Sequence, residues 1–316
     1  MMLSMLLVSV FTFVELNCEN LFDVQHDSLK QDQEFLPESS YHWTPGRYWR
    51  KLNRVGQEIV ACGEKDKTWA LPDMVALCEV ENDSVLRDLT RRSLLRKANY
   101  EYVMTHSPDV RGIDVALLYS PLSFALIRSY AIRIEPMKDM RPTRDILYAS
   151  GLTLSGDTLH VFVLHAPSRG GGEKATRPFR ERIALRLGQA VDSIRALSPQ
   201  APILVAGDFN DYTGDRNLAI YARHGLTDVS AQAVGAHGAK GTYRYHGRWD
   251  SLDHIFVSAP LVSAFMECSV FDEPFLLKDD EKYGGVQPSR NYLGPKYLNG
   301  FSDHLPLVLR FRQSEE

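Results

Sequence analysis

Apolar runs that stop abruptly at a polar cluster carry most of the information in this chain. Ile203, Leu204, Val205 and Ala206 break at Gly207 into Asp208, Phe209, Asn210 and Asp211, the pattern of a buried strand whose carboxyl end turns polar. In open α/β sheets ligands bind beyond that end, so Asp208 and Asn210, two apart, are candidate site residues. An Asp and an Asn after a glycine also make an ordinary turn. A calcium loop does not fit, because its sixth and twelfth positions need glycine and glutamate and here hold Thr213 and Ala219.

The same reading along the chain predicts strands over 11–17, 73–78, 101–105, 115–119, 124–134, 145–154 and 159–164, one opening at Asp253, and a last one after His304. Apolar residues at helical spacing, such as Leu52, Val55, Ile59 and Val60 or Ile183, Leu187, Val191 and Ile194, predict covering helices over 49–64, 83–97 and 177–197. Arg177, Arg180 and Arg182 at the start of the last read as a solvated face. Residues 25–48 form a long polar loop with a few aromatics. Several strands end in chemistry: Asn17 and Glu19 after the first, Glu79 after the second, His165 after the seventh. Taken singly, each has an ordinary reading as a cap, a turn, a salt bridge or a satisfied core histidine.

Composition narrows the class. The 316 residues are 44% hydrophobic, enough for a large core, and the formal charge of −4 argues against a protein that coats nucleic acid through bulk positive charge. Any nucleic-acid contact is therefore local. Cys18, Cys62, Cys78 and Cys268 lack metal or disulfide spacing and read as reduced core thiols. Met1 to Val14 is nearly all apolar but lacks a basic start, lacks a cleavage site and is too short to span a bilayer. It reads as the first strand with an apolar lead-in, which favours the cytoplasm. A signal or anchor remnant would instead mean a secreted or periplasmic protein. No transmembrane segment is expected.

Asn17 in LNCENLF, Glu79 in LCEVEN, His165 in LHAPS, Asp208 and Asn210 in GDFND, Asp253 in LDHI and the terminal Ser302, Asp303 and His304 resemble, in order and spacing, the endonuclease/exonuclease/phosphatase superfamily. The resemblance covers nearly the whole chain, and the ordered set is specific although each motif is weak. It implies an α/β (α+β) fold, a four-layer sandwich of two packed mixed β-sheets flanked by helices, as one domain over 1–316 acting as a monomer. The histidine at 165, where the abasic-site endonucleases carry tyrosine, places the chain nearer the pancreatic-type deoxyribonuclease and sphingomyelinase branch. Asp114, in GIDVA, matches the segment that supplies a carboxylate partner to that histidine.

The resemblance also implies chemistry. Hydrolysing an anionic phosphodiester needs a divalent cation to offset developing charge and a base to deliver water. Glu79 is implied as the main ligand of Mg2+, for which Mn2+ substitutes, with Asn17, Glu19 and Asp303 assisting. His304 oriented by Asp253, and His165 oriented by Asp114, are implied as the acid–base pairs, with Asp208 the alternative base and Asn210 a donor to a phosphate oxygen. Arg111, Arg169, Tyr243 and Arg290 are candidates for gripping the substrate, a phosphate ester such as DNA or RNA. A phosphomonoesterase acting on inositol phosphates or other small phosphates is the alternative, and a non-catalytic binding module the third reading.

Overall fold

The computed structural model describes residues 8–65 and 68–314; the lead-in over residues 1–7 lies outside them. Two six-stranded mixed sheets form the centre. In the first, Val8–Leu21 lies between Leu307–Ser314, antiparallel, and Met74–Val80, parallel; Asp114–Tyr119 and Glu101–Met104 continue one side, and Phe265–Val270 closes the other. In the second, Ile203–Asp208 lies between Thr158–His165, parallel, and Asp253–Ser258, antiparallel, with Ile146–Thr153 and Phe124–Ile132 beyond one and Leu226–Asp228 beyond the other.

Period-two burial on both faces explains the layering. On the first sheet, Phe11, Phe13, Met74, Ala76 and Val115 meet Val161, Val163, Leu204, Ala206 and Ile255 of the second in a shared inner layer. The opposite parity, Val14, Leu16, Val75 and Leu77, is covered by the helices Pro45–Ala61 and Asp83–Arg91. On the second sheet Phe162, Leu164, Ile203 and Val205 are covered by Glu173–Leu197 and Leu218–Arg223. The result is the expected helix, sheet, sheet, helix sandwich, each buried aliphatic or aromatic side chain contributing roughly 1.5–3 kcal/mol.

Departures from the expected elements have local causes. The helix expected over 83–97 stops at Arg91, because Arg92 leaves helical φ/ψ and Ser93 caps a separate single turn, Leu94–Lys97, with its own hydroxyl. The helix expected from 49 begins at Pro45, behind the Thr44 cap, where proline's fixed φ suits a first turn. The arginines of the long helix are not all solvated. Arg180 is buried, its Nε 2.7 Å from Asp211. Cys18, Cys62 and Cys78 are buried free thiols, as expected, and Cys268 is half-buried. Among the described residues no helix is long and apolar enough to cross a membrane.

Candidate active site

Strand register brings three of the expected residues into line. Asp208 stands opposite His165 in the parallel pair and opposite Asp253 in the antiparallel pair, so the three lie on neighbouring strands, roughly 5 Å apart along the backbone ladder. They share the parity of Val163, Ala206 and Ile255, which fill the inner layer, and therefore face the other sheet. Glu15 and Asn17 share the parity of Phe11 and Phe13 and face back. At this end the apolar inner layer gives way to a polar cluster. The segment before the last strand completes it: His304 Nδ1 lies 2.7 Å from Asp253 Oδ2, while the Ser302 hydroxyl donates to the Asn17 carbonyl and accepts from the His304 amide. That turn resolves how Asp303 and His304, adjacent in sequence, both reach one cleft.

Bulged strand ends aim the remaining groups. Alternation alone would send Glu79 outward with Leu77, but the pairing shifts register between Cys78 and Val80 and Glu79 takes φ 62°. This left-handed backbone turns its carboxylate to the cleft, where Oε2 accepts from the Asn20 amide and Oε1 lies 3.9 Å from His165. Glu19 and Asn20 sit at φ 47° and 58° in the matching shift of the first strand, and Asn210 at φ 51°. Gly207 allows the close strand packing beneath Asp208: its φ is 141°, and a Cβ there would fall 1.9 Å from the Leu164 carbonyl oxygen.

The buried charges shift one another. Burial and then the Asp253 carboxylate push the Asp208 carboxyl up to about 7. Burial pulls the His304 imidazole down, but Asp253, by charge and by hydrogen bond, raises it well above its ordinary value. For His165 burial dominates, helped by Arg144 and Arg111, and its pKa falls well below the ordinary value. One atom each of Asp208, Asp253 and His304 lie within 4.8 Å of one another. The Asn17 amide donates to Asp208 at 3.1 Å, and Asn210 donates its amide to the Ala166 carbonyl and its backbone N–H to Asp208.

Other expected residues land differently. Asp114 does not reach His165: its carboxylate is held by the hydroxyls of Thr105 and Ser107 and by the Ser107 amide, and His165 Nδ1 has no partner among the described residues. His165 instead faces Asp208 at 3.5 Å. Glu19 accepts from the Asn291 and Tyr292 amides with both oxygens, so it anchors the 290–292 loop to the site; burial and then Asp303 push it up to about 7. Arg290 pairs with Asp303 at 2.8 Å. Tyr243 bridges to His304 by backbone, and its ring packs 4.9 Å from the imidazole. Arg169 turns away into a separate hollow, on Asp215 at 2.6 Å and over the Tyr212 ring.

Three residues in or behind the site escaped sequence reasoning. Glu15 is fully buried with neither carboxylate oxygen hydrogen-bonded among the described residues, and burial, then Asp253 and Asp208, raise its pKa well above the usual range. Its only signal is an acid inside an apolar strand. His254 points to the outer face, with Nδ1 3.1 Å from Asp228 and Nε2 3.0 Å from the Asp211 carbonyl, so both nitrogens meet acceptors and the ring braces the 208–211 loop. Arg144, paired with Asp109 at 2.9 Å, donates to the carbonyls of His165 and Ala166.

A cavity of about 820 Å³ opens beside the cluster, lined among others by Glu19, Glu79, Asp303, His304, Arg111 and Arg290 and by the rings of Phe35 and Tyr41. Counting Glu34, four carboxylates face two guanidinium groups there. This excess of oxygen donors fits a hard divalent cation, with Glu79, whose Oε1 accepts no hydrogen bond among the described residues, as the most available donor and Asn17, Asp208 and Asp303 beside it.

A sequence profile described as the Endonuclease/Exonuclease/phosphatase family matches residues 12–313. No curated protein sequence matches the chain. Solved structures resemble it in fold. An endonuclease/exonuclease/phosphatase family protein from Bacteroides thetaiotaomicron is 16% identical with a TM-score of 0.63, covering 96% of this chain and 98% of its own. A mannosyl-6-phosphatase from the same organism is 15% identical with a TM-score of 0.61, covering 95% and 98%. The human Nocturnin catalytic domain with bound sulfate is 18% identical with a TM-score of 0.57, covering 96% and 93%.

Proposed function

The chain belongs to the endonuclease/exonuclease/phosphatase family, whose enzymes hydrolyse phosphoester bonds, and from that premise we propose that it is a divalent-metal-dependent phosphodiesterase working as one domain over residues 1–316. The observation that carries this reading is the buried set in which His165, Asp208 and Asp253 stand side by side on three strands and His304 closes onto Asp253 at 2.7 Å. A binding module has no use for two histidines among so many buried acids, whose desolvation is unfavourable without a reaction to serve.

Magnesium or manganese, held by Glu79 with Asn17 and Asp303, would supply charge neutralisation at the phosphoryl oxygens. Glu19 acts one step back, by fixing the 290–292 loop. Asp208, with a carboxyl near neutrality, takes the proton of the attacking water. His304, kept protonated by Asp253, donates toward the leaving oxygen. His165, buried and neutral, donates a hydrogen bond from Nε2 to a phosphoryl oxygen, and the second amide hydrogen of Asn210 does the same. Arg111 and Arg290 hold substrate from the cleft wall. A phosphomonoesterase is the second reading, favoured by the similar fold of the mannosyl-6-phosphatase.

The two readings separate in one experiment: initial rates on bis-p-nitrophenyl phosphate, p-nitrophenyl phosphate, a DNA oligonucleotide and inositol phosphates, each with Mg2+ and with EDTA. The phosphodiesterase reading expects the diesters to be cleaved in Mg2+ only. Cleavage confined to monoesters would overturn it.

A further inference from the structure

Arg111 lines two cavities. Beyond the acid-rich one beside His304 lies a second, of about 460 Å³, between residues 109–111, the 139–144 loop and the segment that follows His165. Its floor is the buried Arg144, which holds the carbonyls of His165 and Ala166 at 3.2 and 2.8 Å. The first cavity thus adjoins His304, and the second adjoins the backbone that carries His165. Between them they flank the proposed reacting groups.

The two differ in charge and surface. In the second, Arg111, Arg141 and Arg144 stand against Asp109 and Asp139. Arg144 and Asp109 neutralise each other at 2.9 Å, and Arg111 donates to the neutral amide of Asn20 at 2.6 Å rather than to a carboxylate. Arg141 lines the cavity and is exposed. Met140 and the half-buried ring of Phe179 give the same cavity an apolar wall. Cationic groups beside a flat apolar wall suit a phosphate attached to a planar ring. A quaternary ammonium headgroup would meet Arg141 as a like charge.

We propose that this second cavity is a subsite for one nucleotide unit of a phosphodiester, with Arg141 and Arg111 on that unit's own phosphate and its base against Phe179, while the other substituent occupies the first cavity. The proposal rests on the phosphodiesterase reading. A monoester would fill one cavity; a diester presents a group on each side of phosphorus.

The test is equilibrium binding in Mg2+ of a thymidine dinucleotide with a non-hydrolysable methylphosphonate linkage, with and without a 5′-phosphate. The wild-type chain is expected to bind the phosphorylated probe about tenfold more tightly. Arg141→Gln should erase that preference, and Phe179→Ala should weaken both probes alike. Equal wild-type affinity for the two probes, or a preference that survives Arg141→Gln in a folded variant, overturns the subsite. Hydrolysis of bis-p-nitrophenyl phosphate, followed in parallel, reads the catalytic proposal separately: its absence beside an Arg141-dependent preference would reject the hydrolase and retain the subsite.

Discussion

At the scale of single residues, the site rests on ionisable groups that the fold buries beside an open cavity. Asp208→Asn removes the proposed base and His304→Ala the proposed donor; each is expected to lower turnover by at least about a hundredfold, with the melting temperature showing a folded protein. Near-normal turnover in either variant would remove that residue from its role. His254 makes a contrasting case, since its hydrogen bonds to Asp228 and to the Asp211 carbonyl brace the loop without reaching the cleft. Asp228→Asn should destabilise the fold by about 1–3 kcal/mol, read as a lower denaturant midpoint. Sequence motifs singled out Asp208, Asp253 and His304, which the fold brings together, because the first two end and open apolar strands and the third lies just before the last one. They misassigned Asp114, because only the fold reveals that Thr105 and Ser107 hold its carboxylate. Glu15 carries no motif; its meaning comes from facing Asp208 and Asp253 across the two sheets.

At the scale of elements, register and bulges do the aiming. The strands and the long helices were readable from apolar periodicity and the pair of packed sheets from the family resemblance, but the strand order and register that set His165, Asp208 and Asp253 in a row were not. The bulge that turns Glu79 inward was not readable, since alternation predicts the opposite face and no glycine marks the left-handed backbone. Gly207 is the element on which the row depends. In Gly207→Ala the methyl group would meet the Leu164 carbonyl oxygen at 1.9 Å in a strand with φ 141°, so relief requires the two central strands to separate. A loss on the order of 3 kcal/mol or an insoluble product is expected; an unchanged melting curve would show that the strands tolerate the shift. The Arg91 to Ser93 break between the second helix and its trailing turn shows the same limit: apolar spacing continues through a change of backbone that it does not report.

At the scale of the whole molecule, a pair of sheets encloses an excess of acid. Burial raises Glu19 and Asp208 to about 7 and Glu58 and Glu81 to about 8. An acid whose folded pKa lies above its unfolded value near 4 binds more protons when folded, so stability falls as pH rises from about 4 through these values. The raised imidazoles of His254 and His304 act in the same direction, since their contribution is complete below about 6.5 and is lost as pH rises through their folded values. In EDTA the melting temperature is therefore expected to drop between about pH 5.5 and 8.5, and Mg2+ should recover part of the loss at the upper end by binding the folded state. A melting temperature that rises over this range would contradict the charge account. The central claim, that these acids and histidines form a metal-dependent phosphodiesterase site, is tested most directly by the rate of bis-p-nitrophenyl phosphate hydrolysis in Mg2+ and after exhaustive chelation, for the wild-type chain and Asp208→Asn. The account predicts turnover in Mg2+ that EDTA abolishes, that added Mg2+ restores, and that Asp208→Asn lowers by about a hundredfold or more; hydrolysis that survives chelation, or that is undiminished in Asp208→Asn, would contradict it.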